Sequence, residues 1–364
     1  MNTPRLSPSC EGAPAPAEVA RVVSGSDLIA SFQTFLDSAE AGDTVRIMSP
    51  VIDDPVAVAC IRDARRRGVV IAILTTLVDR HGIKTKGWDN SQNIEKHGEC
   101  IRDLARCGCM LRSPDTTPHG KMMLADRGTV WFGSANLAIN ALHGHSTEAV
   151  IDAASPELAS RLTLCFEAVW KASRYRMTHR QGAVFLEETG ASPLKFVEPS
   201  DASGLDVWCS APGVPMALQG IMRVFAKAEK AIVLLAMSVY ELDQVPELHD
   251  VLKSALRRGV AVKALIRKEQ FEQEERRGDY PDPATLELIA CGMKLVRVQG
   301  LHAKGFLVDD RRCGILSANF NPYSLDWRRA ECNIELVVAA DIQHPLLMRY
   351  ARWMRDLAVQ SDAP

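Results

Sequence analysis

Apolar positions along the chain follow two periods, and the two alternate. Leu28, Phe32, Phe35 and Leu36 share one face of a helix predicted over Asp27 to Ala39. Val45 to Ser49 predicts a strand, and Val56 to Arg67 a helix that Gly68 ends as a C-cap. Val69 to Leu74 is apolar throughout, the pattern of a strand buried on both faces. A polar loop, Asp79 to Gln92, leads to a helix over Ile94 to Cys107 stopped by Gly108, then to a short strand near Met110 and Leu111. Strands over Lys121 to Ala125, Thr129 to Phe132 and Ala149 to Asp152 precede a helix over Pro156 to Ala172.

The same order then returns. Met216 to Ala228 reads as a helix, Ala231 to Ser238 as a strand, and Leu248 to Arg258 as a helix stopped by Gly259. Val260 to Ile266 is a strand, Arg267 to Asp282 a charged loop, and Ala284 to Cys291 a helix stopped by Gly292. Strands over Lys294 to Val298, Gly305 to Val308, Cys313 to Leu316 and Leu336 to Ala339 lead to a last helix, Pro345 to Leu357. This alternation predicts an α/β fold with a mixed sheet in each of two halves. The expected boundaries are a disordered tail over 1–23, a first half over 24–185, a linker over 186–205 and a second half over 206–364.

One polar pattern occupies the same place in both halves. His119, Lys121, Asp126, Ser134 and Asn136 recur in identical register as His302, Lys304, Asp309, Ser317 and Asn319, 183 positions on. A histidine near neutral pH serves as nucleophile or general acid. A lysine two residues away on a strand points to the same side. Ser and Asn add neutral donors. Two such sets suit a phosphoryl group with charge spread over its equatorial oxygens. One histidine attacks phosphorus while the other protonates the leaving oxygen, and a pseudo-twofold axis puts them on opposite sides, as in-line displacement requires. Asp126 and Asp309 belong to the same signature and are counted with the catalytic set, yet their place at strand ends favours bracing a turn. Glu148 and Glu335 each orient a catalytic histidine through its other ring nitrogen in this reading. His143 and His145 are spectators.

Composition changes this picture little. The 47% hydrophobic and 24% charged content is that of an ordinary soluble protein, and the net charge of −2 offers no global field for nucleic acid. Met1 to Glu18 lacks the features of a signal peptide, and no apolar run reaches membrane-spanning length, so a cytoplasmic location is expected. The ten cysteines are scattered and expected to be reduced core residues. His97, Cys100, Cys107 and Cys109 resemble a zinc cluster, but the second half keeps only Cys291-Gly292 in the matching place. No metal site and no cofactor are expected.

The doubled His-x-Lys-x4-Asp signature resembles that of the phospholipase D superfamily, and the resemblance covers the chain from about Ser24 onward. It implies two α/β/α halves around one cleft, a phosphohistidine intermediate and no metal requirement. By position, His119 and His302 are nucleophile and acid/base, with His119 favoured as the nucleophile. Lys121, Lys304, Ser134, Asn136, Ser317 and Asn319 bind the phosphate. Leu316 replaces a glycine frequent in the family and is expected to narrow the pocket slightly. The leading expectation is a phosphodiesterase or transphosphatidylase, with a soluble nuclease as alternative and a non-catalytic phosphate-binding module as a second. The substrate is a phospholipid or nucleic acid phosphodiester. His81, Lys84, Lys86 and Trp88 form a basic loop suited to a phosphate backbone or a lipid headgroup. Peripheral membrane contact is allowed, and a monomer is sufficient for a complete site.

Overall fold

A computed structural model describes residues 20–77, 91–190, 192–196, 204–277 and 280–361. Most of the expected tail, the basic loop with His81, Lys84, Lys86 and Trp88, and part of the expected linker lie outside the described residues.

The first half builds a nine-stranded sheet. Its strands are β1 (Arg21–Val23), β2 (Thr44–Met48), β3 (Val70–Leu74), β4 (Met110–Ser113), β5 (Met122–Ala125), β6 (Thr129–Gly133), β7 (Val150–Ala154), β8 (Tyr175–Arg180) and β9 (Ala183–Glu188). They lie in the order β1-β7-β6-β5-β2-β3-β4-β8-β9. The second half builds a seven-stranded sheet from β10 (Asp206–Ser210), β11 (Ala231–Leu235), β12 (Ala261–Arg267), β13 (Lys294–Val298), β14 (Gly305–Val308), β15 (Arg312–Leu316) and β16 (Glu335–Asp341). Its order is β10-β16-β15-β14-β11-β12-β13, which is the first order without its last two strands. In both, three strands run parallel and the rest antiparallel. The mixed sheets and the two similar halves are those expected.

Local chemistry explains the helices between parallel strands. Asp54 caps the helix Pro55–Arg66 by accepting from Ala57 N at 2.9 Å, and Pro55 supplies the preset first turn. Gly68 and Gly259 follow equivalent helices with φ of +95° and +86°, where an L side chain is strained. Each glycine turns the chain into the next parallel strand.

The core has three apolar layers. Phe32, Ile61, Ile73 and Trp131 fill the outer layer of the first half. Phe225, Leu252, Phe306 and Phe320 fill that of the second. Between them, one cluster draws on both halves, with Leu74, Met122 and Phe132 meeting Leu235, Leu301, Leu336 and Tyr350. The helices Pro156–Ala172 and Met348–Gln360 lie in this shared layer. The halves are therefore joined by a common core, and burial of that area is the main force between them.

Several elements differ from expectation. β1 and β10 occupy equivalent sheet edges, so Arg21–Val23 belongs to the first sheet and not to a tail. The hairpin β8-β9 extends the first sheet alone, and its end runs past the expected boundary at 185 into the expected linker. The charged stretch after β12 is a helix, Lys268–Arg277. Leu316 is fully buried in the outer layer of the second half, so its side chain fills core and not pocket.

Candidate active site

Both His-x-Lys pairs lie just before a strand, β5 or β14, and not within it. Each lysine carbonyl accepts from its own half, from Gly133 N at 3.1 Å or Leu316 N at 2.9 Å, while the residues before the lysine pair across the molecule. Gly120 N donates to Ile334 O at 3.0 Å, and Ile334 N to Thr117 O at 2.9 Å. In the mirror arrangement Thr147 N donates to Gly300 O at 2.7 Å, and His302 N to Thr147 O at 2.9 Å. Thr147 and Ile334 each precede a glutamate. The bridges therefore carry each carboxylate across to the opposite histidine.

The result is a crossed pair of dyads. Glu148 Oε1 lies 2.5 Å from His302 Nδ1, and Glu335 Oε1 lies 2.8 Å from His119 Nδ1. Neither half holds a histidine and its glutamate together. The second oxygens are held alike, with Ser134 Oγ donating to Glu148 and Ser317 Oγ to Glu335, both at 2.5 Å. Ser324 Oγ adds a bond to Glu335 at 3.0 Å, and Ser146 Oγ one to Glu148 at 3.3 Å. Sequence reasoning missed Ser324. Its only signal was proximity to the second motif.

Lys121 Nζ donates to His119 O and lies 2.9 Å from His119 Nδ1. Lys304 Nζ donates to His302 O at 2.7 Å. Both lysines and both glutamates are buried, while the imidazoles keep 21% and 17% of their side-chain surface open. The histidines are thus the members of this set that reach the surface. Asn319 Oδ1 accepts from Met237 N at 3.2 Å, whereas buried Asn136 Oδ1 has no partner.

The electrostatics follow from burial. Burial pushes His119 down to about 4, with Glu335 opposing, and likewise lowers His302 against the pull of Glu148. Burial also depresses Lys121 to about 7 and Lys304 to about 8. Burial alone raises a carboxylate, but the paired histidine, the nearby lysine and the serine outweigh it and hold Glu148 and Glu335 at about 2. Four basic groups with lowered proton affinity around two fixed carboxylates form a site that gains from an incoming anion.

The structure does not bring every signature residue here. Asp126 and Asp309 lie at the far ends of β5 and β14. Asp126 accepts from Thr44 N and Arg46. Asp309 accepts from the backbone N–H groups of Glu229, Lys230 and Ala231. Both brace turns. His97 is likewise occupied, with Ile52 N donating to Nδ1 at 2.9 Å and Nε2 lying 2.6 Å from Thr76 O. Among the described residues, no group of three or more His, Cys, Asp or Glu side chains is placed to hold a metal. His143 pairs with Asp54 at 2.7 Å.

A family model described as cardiolipin synthase, PLD-like domain, matches residues 33–170 and again 221–357. The chain belongs to this family. The two matches fall on the two halves, one on each sheet. Phosphatidylserine synthase of Haemophilus influenzae Rd KW20 is similar over 95% of this chain and 88% of its own, with TM-score 0.64 at 14% identity. Polyphosphate kinase of Porphyromonas gingivalis is similar over 91% of this chain and 48% of its own, with TM-score 0.55 at 12% identity. Nuc of Salmonella typhimurium, a phospholipase D family member, aligns with 43% of this chain and 97% of its own at 23% identity, with TM-score 0.35. At these identities the first two share the fold. A comparison with curated proteins gives no match. Among the described residues no helix is long and apolar enough to cross a membrane.

Proposed function

We propose that the protein is a phospholipase D-type phosphodiesterase or transphosphatidylase that works through a phosphohistidine without a metal. The observation that supports this most is the crossed His–Glu arrangement, which offers two equivalent imidazoles to one phosphodiester. Glu335 holds His119 Nδ1–H, which leaves Nε2 with its lone pair for phosphorus. His119 Nε2 forms the new N–P bond as the bond to the leaving oxygen breaks. His302 gives its proton to that oxygen. An acceptor alcohol or water then gives a proton to His302 and attacks the phosphohistidine, and His119 is released.

The other groups have supporting parts. Lys121 and Lys304 offset charge on the equatorial oxygens, the role fixed donors fill in a dry site. Ser134 and Ser317 act through the glutamates they hold, and Asn136 and Asn319 supply the remaining polar contacts to phosphate. The phosphodiester anion, once between the histidines, raises both imidazoles toward their protonated forms and so charges the acid. Phospholipid is the favoured substrate because the family description is that of a lipid synthase and the net charge of −2 gives nucleic acid no general attraction.

The test offers labelled phosphatidylglycerol or single-stranded DNA to the protein in EDTA, with and without glycerol as acceptor. Turnover of lipid that is lost in both His119→Ala and His302→Ala, with an acid-labile phosphoprotein in the wild type, is expected. DNA cleavage with the same dependence would replace the lipid reading by a nuclease. Loss of activity in EDTA would remove the metal-free mechanism.

A further inference from the structure

The two halves differ in the loop between the serine and the glutamate of the site. The serine and glutamate that frame the neighbouring loop are 14 residues apart in the first half and 18 in the second. The longer loop carries Tyr323, Trp327, Arg328 and Arg329, and the shorter one has no arginine or lysine. It is tied to a catalytic group at one point and braced within itself at another. Ser324 donates to Glu335 at 3.0 Å, and Asn333 N donates to Tyr323 O at 2.7 Å. Tyr323 is thus next in the chain to a residue that holds the partner of His119, and it is 43% exposed.

The two arginines are used differently. Arg328 donates to both oxygens of Glu247 at 2.9 and 2.8 Å and to Asp326 at 2.8 Å, so its charge is neutralised within the fold. Arg329 donates to Gln244 Oε1 at 2.7 Å and lies over the Tyr323 ring, 4.6 Å from its centroid. Both partners are neutral. Among the described residues no carboxylate pairs with it, so its positive charge is held in place beside an exposed phenol.

We propose that Arg329 and Tyr323 form an anion subsite on this loop, which takes a second phosphate of the substrate while the reacting phosphodiester lies between His119 and His302. The proposal rests on the reading of the site given above. The matching loop of the first half, residues 134–148, has no arginine or lysine, so the subsite breaks the pseudo-twofold symmetry of the two loops. A substrate with two phosphates then binds in one direction, its second phosphate toward the second half.

The test is calorimetric binding to the full chain, which does not depend on turnover. Glycerol 3-phosphate and glycerol 1,3-bisphosphate are compared. The bisphosphate should bind about tenfold more tightly to the wild type, the gain a charge-assisted hydrogen bond supports. Arg329→Gln should lose this advantage with glycerol 3-phosphate unchanged. Arg329→Lys, which keeps the charge, should retain part of it, and Tyr323→Phe, which keeps the ring face, most of it. No advantage in the wild type, or the same advantage in Arg329→Gln, overturns the subsite. Unchanged affinity for both ligands in Lys121→Met would instead overturn the placement of phosphate between the histidines.

Discussion

Lys121 and Lys304 show how residue identity and burial combine. An ammonium shut away from water is costly unless its charge is answered, and here burial lowers Lys121 to about 7 against the pull of Glu335. The consequence for the free enzyme is a narrow pH window. In the proposed mechanism His119 needs its lone pair, which it loses below about 4. The same mechanism has His302 carry a proton, and burial sets its value below the ordinary 6.5. Lys121 loses its charge from about 7 upward. kcat/KM should therefore rise through about pH 4 and fall again before neutrality as His302 gives up its proton, with a maximum on the acid side. Steady-state rates across pH check this, and a profile flat from pH 5 to 9 would sink these assignments. The histidines, lysines and glutamates were legible in the sequence because the repeat writes them twice. Which glutamate serves which histidine was not legible. That pairing depends on Thr147 and Ile334 bonding across the molecule, and no spacing within one half encodes it. The serines were read as phosphate ligands, but the bonds to Glu148 and Glu335 exist only once β6 and β7, or β15 and β16, lie side by side.

At the scale of elements, apolar period and glycine stops gave most helices and the buried parallel strands. The missing pieces have a common cause. β1 and β10 are short edge strands with one neighbour each, and the β8-β9 hairpin is rich in charge, so neither carries a long apolar run. The helix Lys268–Arg277 is almost wholly polar and was read as a loop. Close strand packing also controls the site. A Cβ on Gly133 would lie 2.2 Å from Ala149 O and 2.8 Å from Val150 Cα, backbone atoms that have no rotamer to escape by. Gly133→Ala must push β6 from β7, one residue before Ser134 reaches Glu148. It should cost about 1–3 kcal/mol of stability, the range of overpacked sites, and lower kcat through the displaced Glu148–His302 pair. Gly190→Ala meets nothing within 4 Å and has no positive φ, so it should stay within about 0.5 kcal/mol of the wild type. Thermal melts and initial rates of the two variants separate local packing from a general effect of adding a methyl group. A Gly133→Ala protein with wild-type melting and rate would refute the link between this contact and the site.

The whole molecule is one site built from two incomplete halves. Its central layer mixes side chains from both, and its bridges run Pro118 to Ile334 and Thr147 to Leu301. An isolated first half would keep His119 without Glu335, and would expose Met122 and Phe132 of the shared layer to water. An isolated second half would keep His302 without Glu148. Each would lose the carboxylate that fixes its imidazole and would have one histidine where in-line displacement uses two. Residues 20–190 and 204–364, expressed separately, should therefore show no turnover as monomers. Mixed or co-expressed, they should associate through the central layer and recover activity, because no described element of either half is threaded through the other. Introducing His119→Ala into one partner should abolish the recovered activity, and so should Glu148→Gln, although that change leaves both histidines in place. Size-exclusion chromatography with rates measured on each peak makes the comparison. A monomeric half that turns over substrate at the full-chain rate would show that the crossed dyads are not required, and the reading of a single shared site would then fail.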